Sequence, residues 1–296
     1  MGERLRPLTE QLPKPLVPVF HRPLITYAFD HLIAAGVSRL VVNTHHIPEA
    51  YDRAFPQRSY REVPIHFRNE SPVRLETAGG IANVRDLLGQ DPFIVYNGDI
   101  LTDLPLQPLL TEHREKGNLV TLVLRSHGPS LHIAFDSQSG RVTDIRNKLG
   151  TGDEGKYLFT GIYACDPAIH EWITPGKVES VIPIFLKMLS EGAQLGAVVI
   201  DEGSSWDLGS RTAYLAAHGA LNGMYGPALD PEAQIESGAI LRGTNVVGAG
   251  AVIESGAQLE DTIVWPGGRV VRGAHLKRCI VRSGITAAGI VEDADF

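Results

Sequence analysis

Apolar residues fall along this chain in two rhythms, one giving way to the other near Leu221. From Pro23 to about Leu221, short runs rich in Val, Ile, Phe and Tyr alternate with segments whose apolar residues recur at helical spacing. RLVVNT, VPIHFRN, PFIVYNGD, LVTLVLRS, KYLFTGIYAC and QLGAVVID predict strands. PLITYAFDHLIAAG, TAGGIANVRDLLG, LQPLLTEHREKG and ESVIPIFLKMLSEG predict amphipathic helices, each with a glycine at or just past its end. This alternation predicts an α/β fold with a Rossmann-like mixed, mainly parallel sheet flanked by helices. Ligands of such sheets gather at the carboxyl ends of the strands.

Past Leu221 the helical period stops. Ile235, Leu241, Val247, Ile253, Leu259, Trp265 and Val271 recur every six residues, with Gly238, Gly243, Gly248, Gly250, Gly256, Gly267 and Gly268 supplying turns. Hexapeptide repeats of this kind predict a short left-handed parallel β-helix, in which each coil buries its aliphatic residue against the next. The change of period divides the chain into an α/β domain, 1–221, and a β-helix domain, 222–296. So short a prism suits packing or the assembly of a homo-oligomer. Hexapeptide repeats also occur in acyltransferases, where a histidine between coils acts as base; for His275, a surface or stacking role is favoured.

Charge narrows the range of partners. The chain has 296 residues, with 27 Lys and Arg against 34 Asp and Glu, and the balance of −7 argues against nucleic acid or an anionic membrane as the main partner. A small anionic substrate remains compatible, because a few basic residues can converge locally. Cys165 and Cys279 lie far apart in different kinds of segment and are expected to be reduced packing residues. With no secretory h-region and no apolar run near the ~18 residues of a membrane span, a cytoplasmic location is expected. The sequon Asn69-Glu70-Ser71 would matter only in a secreted protein.

Candidate chemistry begins in the first residues. Gly2-Glu3-Arg4-Leu5-Arg6-Pro7-Leu8-Thr9 is followed by Pro13-Lys14-Pro15-Leu16-Val17-Pro18-Val19. A glycine loop brings backbone N–H groups close to phosphates, while a guanidinium and an ammonium neutralise charge that accumulates on transfer. The two stretches resemble the signature of the sugar-1-phosphate nucleotidyltransferases, G-x-G-T/E-R-L-x-P-x-T then P-K-P-L-x-P-V. The first matches from its second glycine onward and the second in full. The resemblance implies that 1–221 is a nucleotidyltransferase catalytic domain, that Gly2, Glu3 and Arg4 bind the nucleotide, and that Arg4 and Lys14 are catalytic. Arg4 would hold the triphosphate, and Lys14 the sugar phosphate and the α-phosphate.

Asp99 follows the strand-like PFIVY, and Asp207 lies in SSWDLGSRTAYLAA, a compressed form of the family's W-x-D-x-G-T segment. By resemblance the two are ligands of Mg2+. For Asp207 alone, an N-cap of the helix near Ser210 is the alternative. LETAGG resembles the L-G-T-A-G loop near which the family reads base and sugar, implying nucleotide contacts at Glu70, Thr77, Gly79 and Gly80, with the helix amides there free to face a ligand. Glu76 stands where many members have glycine. Resemblance further implies sugar-phosphate contacts at Asn147, Lys148, Gly161 and Glu179. Asn147-Lys148-Leu149 replaces a Glu-Lys-Pro, and for Glu179 a capping role is the alternative. GTGDEG, from Gly150 to Gly155, satisfies G-x-G-x-x-G but precedes a strand, so a flexible loop is expected. His45-His46 is expected at a loop or helix start.

The reaction implied joins a nucleoside triphosphate and a sugar 1-phosphate into a nucleotide sugar and pyrophosphate. The hexapeptide tail resembles mannose-1-phosphate guanylyltransferases, and LETAGG with FTGIYACDP resembles N-acetylmuramic acid 1-phosphate uridylyltransferases. GTP with mannose 1-phosphate is the first expectation, a uridylyltransferase acting on an N-acetylated amino-sugar 1-phosphate the second. Family members place a strand and L-A-A-G before the residue matched by Met1. That implies either a start assigned too late, which is favoured, or a shortened, inactive subunit that binds a nucleotide sugar. A hexapeptide acyltransferase would leave Arg4, Lys14, Asp99 and Asp207 unexplained.

Overall fold

A computed structural model of the chain describes residues 5–296. By compactness they form two units. One holds the N-terminal stretch through Tyr27, Asp99–Leu101 and Trp206–Phe296; the other holds Ala28–Gly98 and Thr102–Ser205.

The second unit contains a six-stranded sheet in the order Phe93–Tyr96, Leu158–Cys165, Val120–Arg125, Leu195–Val199, Arg141–Ile145, Ile133–Asp136. Every residue of Val120–Arg125 is buried. Its Val120, Leu122 and Leu124 share a core with Ile184, Phe185 and Met188 of helix Val181–Ser190. On the alternate positions, Thr121 lies 3.0 Å from Nδ1 of His113 in helix Gln107–Lys116. Burial on both sides explains why LVTLVLRS reads as a continuous apolar run and not as an alternation. A separate sheet pairs Leu40–Thr44 in parallel with Val63–Asn69, which carries Ser59–Tyr60 antiparallel on its other side.

The mixed α/β architecture and all six strand runs are as the alternation predicts, but parallel pairing contributes less to the large sheet. Val120–Arg125 runs parallel to Leu195–Val199, and the other pairings of that sheet are antiparallel. The cause lies between Leu131 and Cys165, where Ile133–Asp136 and Arg141–Ile145 form a hairpin with no intervening helix. Asp136 closes it, accepting hydrogen bonds from the N–H groups of Gln138 and Ser139. The sequence reading lacked this hairpin. GTGDEG, as expected, has no regular structure.

In the first unit, short strands stack in parallel on three faces and form the β-helix that the repeats predict. The period is not constant. Ile240 pairs with Gln258, 18 residues on, Val246 with Ile263, 17 on, and His275 with Ile290, 15 on, so the coils shorten, by one residue at first. The loss falls at the corner around Asp261, whose φ is 47° and whose carboxylate accepts from the Thr244 N–H at 2.8 Å. Val264 and Val270 therefore take the core places expected for Trp265 and Val271. His275 sits between Gln258 and Ile290 on an outer ladder, a surface position. Cys165 and Cys279 are free and buried, and burial pushes both thiols up. No helix among the described residues is long and apolar enough to cross a membrane.

The displaced Trp265 joins the core that fixes the N-terminal stretch. Leu5, Leu8, Val17 and Val19 pack there with Leu101, Leu208, Tyr214, Trp265 and Ile280. Trp265 Nε1 donates to Tyr214 Oη at 3.1 Å, and that hydroxyl donates to the Pro18 carbonyl. Arg282 donates to the Pro7 carbonyl at 3.2 Å. Proline lacks an N–H but keeps its carbonyl acceptor, so the proline-rich segment is tied down through its oxygens. His218 accepts the Phe20 N–H on Nε2 at 3.0 Å, while its Nδ1 lies 2.8 Å from the Tyr214 carbonyl. The ring is thus neutral, with its proton on Nδ1.

Burial lowers the His218 pKa from 6.5 to about 4. Between those values the unfolded chain takes a proton that the folded chain refuses, so this contribution is complete above pH 6.5 and is lost as pH falls toward 4. Urea unfolding at about pH 7.5 and about pH 5 should show a loss of about 2 kcal/mol from this residue. His218→Gln should remove that part of the difference, and an unchanged slope would exclude His218 as its source.

Candidate active site

Lys14 opens the short 3-10 turn Lys14–Leu16, flanked by Pro13 and Pro15. Leu16 N–H donates to Pro13 O and Val17 N–H to Lys14 O, while Leu16 and Val17 anchor their side chains in the interior. The turn leaves the lysine side chain directed away from that anchor. Its Nζ donates to Asp99 Oδ2 at 2.8 Å and to Asp207 Oδ1 at 3.2 Å. The Lys14 side chain is 12% exposed, against 43% for Asp99 and 67% for Asp207. A shielded ammonium thus sits beneath two accessible carboxylates.

Asp207 ends strand Ser205–Asp207. The cap considered for it belongs to Ser210, whose Oγ accepts from the Ala213 N–H at 3.2 Å at the start of helix Arg211–Ala220. PFIVY, before Asp99, forms Phe93–Tyr96, an outer strand whose residues are half-buried, because one side has no neighbour in its sheet. Among the described residues, no group of three or more His, Cys, Asp or Glu forms a ready metal cage. Two exposed carboxylates fit a hard cation that takes its remaining ligands from water and substrate phosphates, the habit of Mg2+.

In the second unit, Glu70 follows strand Val63–Asn69 and is buried. Its Oε1 accepts from Asn43 Nδ2 at 2.7 Å and its Oε2 from the Leu75 N–H at 3.0 Å. Thr77 Oγ1 accepts from the Val181 N–H at 2.9 Å. The amides expected to be free at the start of helix Glu76–Asn83 are not: Ala78 and Gly79 both donate to the Glu179 carbonyl, at 2.9 and 3.2 Å. The unpaired donors of a helix start need an acceptor, and the protein's own chain supplies one. A Cβ at Gly79 would lie 2.3 Å from Lys177 O, and one at Gly80 would lie 2.5 Å from Asn43 Nδ2. The glycine pair therefore lets neighbouring segments close on the helix. Glu179 pairs with Lys177 at 2.6 Å, and Ser180, not Glu179, caps helix Val181–Ser190.

Gly161 has φ 84° at an irregularity in strand Leu158–Cys165, where a Cβ would meet Asn97 Nδ2 at 2.4 Å. Asn147 and Lys148 are exposed just past strand Arg141–Ile145, with Asn147 at φ 51°. The structure thus gathers Lys14, Asp99 and Asp207 in the first unit. In the second it gathers Glu70, Thr77, Gly79, Gly80 and Glu179, and sets Asn147 with Lys148 on a separate loop. Gly2, Glu3 and Arg4 lie outside the described residues. His45-His46 lies, as expected, between strand Leu40–Thr44 and helix Glu49–Ala54. The sequence reading missed Asn43 and Asn97, which meet Glu70 and Gly161 only once the chain has folded, and Asp144, whose partners lie in the loop that follows it.

The chain belongs to the nucleotidyl transferase family, whose model, described as Nucleotidyl transferase, matches residues 1–223. A mannose-1-phosphate guanylyltransferase of Mycobacterium tuberculosis is 30% identical over 291 residues, covering 94% of this chain and 80% of the relative. An N-acetylmuramate alpha-1-phosphate uridylyltransferase of Neisseria meningitidis serogroup B is 33% identical over 189 residues, covering 62% of this chain and 79% of the relative. A solved Bacillus anthracis structure assigned as a glucose-1-phosphate thymidylyltransferase, in complex with sucrose, shares the fold. It has a TM-score of 0.63 at 21% identity over 73% of this chain and 89% of its own.

Glu76 adopts φ 64°, a left-handed conformation that glycine takes without penalty, and pairs with Arg74 at 2.5 Å. This accounts for the glycine in the resembling motif. Glu76→Gly should raise stability by about 1 kcal/mol, net of a weak exposed ion pair. Chemical denaturation checks this, and a loss of stability would mean that the Arg74 pair outweighs the strain.

Proposed function

We propose that this protein transfers a nucleotidyl group from a nucleoside triphosphate to a sugar 1-phosphate, releasing pyrophosphate, with GTP and mannose 1-phosphate as its pair. The convergence of Lys14, Asp99 and Asp207 carries the reading. The choice of pair is supported by the guanylyltransferase relative, 30% identical over 94% of this chain. In this reading 1–221 is the catalytic domain and 222–296 a left-handed β-helix through which copies associate. The protein works in the cytoplasm, without nucleic-acid or membrane partners.

The attacking phosphate is already ionised, so no side-chain base or covalent intermediate is required. Catalysis comes from positioning and from neutralising negative charge at the α-phosphorus. Lys14 supplies a mobile ammonium to the α-phosphate and the incoming sugar phosphate, and Arg4 clamps the triphosphate. Asp99 and Asp207 would hold Mg2+, which when bound neutralises phosphate charge. In the second unit, the Glu70, Thr77 and Gly79-Gly80 segment contacts the nucleotide. Asn147, Lys148, Gly161 and Glu179 serve the sugar phosphate.

Pyrophosphate release across a grid of nucleoside triphosphates and sugar 1-phosphates, with magnesium, tests the reading. Turnover is expected with GTP and mannose 1-phosphate. A signal confined to UTP with an N-acetylated amino-sugar 1-phosphate would transfer the assignment to that branch. Silence throughout, with nucleotide-sugar binding retained, would make the chain a binding subunit. Asp99→Asn and Asp207→Asn should each lower kcat by at least about 100-fold with circular dichroism unchanged. Near-normal turnover would remove the residue from the metal site.

A further inference from the structure

Asp144 is a candidate that the sequence did not single out. It lies in strand Arg141–Ile145 and is 0% exposed. A buried carboxylate needs partners, and among the described residues those of Asp144 are backbone N–H groups. Oδ1 accepts from Ile145 at 2.6 Å, Lys148 at 2.9 Å and Leu149 at 3.1 Å. Oδ2 accepts from Leu149 at 3.2 Å and Thr151 at 3.4 Å. Burial pushes its pKa up, yet these N–H groups together hold it below the ordinary carboxylate value. The segment after the strand is thus wound around a single fixed charge.

The winding strains the backbone. Arg146 takes φ 57°, a left-handed conformation that an ordinary residue adopts only at a cost, and Asn147 follows at φ 51°, which asparagine tolerates. Strain of this kind persists where the surroundings over-determine it. Here the Asp144 carboxylate and the His132 carbonyl, which accepts the Arg146 N–H at 2.7 Å, supply the constraint. The turn presents Asn147 and Lys148 to solvent, together with Arg146 and Leu149.

We infer that Asp144 is a positioning residue: by gathering the N–H groups of Ile145, Lys148, Leu149 and Thr151, it sets the backbone from which Asn147 and Lys148 reach the sugar 1-phosphate. This rests on the reaction proposed above. A lysine side chain has several free torsions, so its effectiveness toward a phosphate depends on a fixed starting point. Asp144→Asn keeps the side chain's size but replaces one acceptor oxygen with a donor that faces other donors, and the turn should loosen.

The test compares the wild type, Asp144→Asn, Lys148→Met and the double variant, using the substrate pair that turns over in the grid. Asp144→Asn should raise KM for the sugar 1-phosphate about tenfold, leave KM for the nucleoside triphosphate within about twofold, and speed trypsin cleavage after Arg146 and Lys148. Lys148→Met, at an exposed position that tolerates substitution, should give the same split in KM without faster cleavage after Arg146. The double variant should be no worse than Asp144→Asn alone, because one residue acts through the other. Unchanged cleavage in Asp144→Asn would overturn the inference, as would both KM values rising together. If Asp144→Asn does not fold, a Lys148→Met enzyme with unchanged KM for the sugar phosphate would overturn it equally. A wild type silent across the grid would instead sink the reaction itself.

Discussion

Lys14 brings a positive charge to a place where little of its side chain meets water, and Asp99 and Asp207 make that tolerable. Three stretches far apart in sequence must be held together for this contact to exist, and the architecture of the first unit serves that end. The proline-rich stretch is fixed by Tyr214 on the Pro18 carbonyl and Arg282 on the Pro7 carbonyl. The segment after Asp207 is fixed by Arg211, which donates to Asp295 Oδ1 at 2.7 Å and to the Arg278 carbonyl. Trp265, Arg278, Arg282 and Asp295 all belong to the β-helix. That element therefore braces the signature segment directly.

The second unit solves a different problem, bringing backbone segments close without leaving buried polar groups unpaired. Gly79 and Gly80 give room for Lys177 and Asn43, and the Glu179 carbonyl takes the amides of Ala78 and Gly79. Glu70 and Asp144 are both buried carboxylates with donors on each oxygen, Glu70 taking Asn43 of strand Leu40–Thr44 and the Leu75 N–H, and Asp144 the N–H groups of the loop that follows it. Buried carboxylates are costly unless fully partnered, which makes such loops well defined.

Several features were legible from local pattern. LVTLVLRS and QLGAVVID are strands because their short runs, rich in β-branched residues, suit a buried sheet, and the prolines of PKPLVPV favour a turn. Other features were misread for identifiable reasons. HIAFDSQSGRVTDI holds a hairpin whose turn is made by Asp136 side-chain bonds and by Gly140, at φ 71°, whose N–H donates to the Asp136 carbonyl. The six-residue period slipped at Asp261 because one corner can lose a residue when its carboxylate rebuilds the turn, which moved Trp265 out of the prism core.

The sequence by itself determined the reaction class, through Lys14 and its flanking prolines, and the β-helix, through its repeats, because both are written in neighbouring residues. Only the tertiary structure decided that Asp207 meets Lys14 while Ser210 takes the cap, that the amides at Ala78 and Gly79 are already spent, and that Asp144 winds the loop bearing Lys148. A carboxylate or an amide carries the same chemistry wherever it stands, and which partner satisfies it depends on distant segments that folding brings together, as for Lys14 with Asp207 and Glu179 with Ala78, or on how a loop winds, as for Asp144.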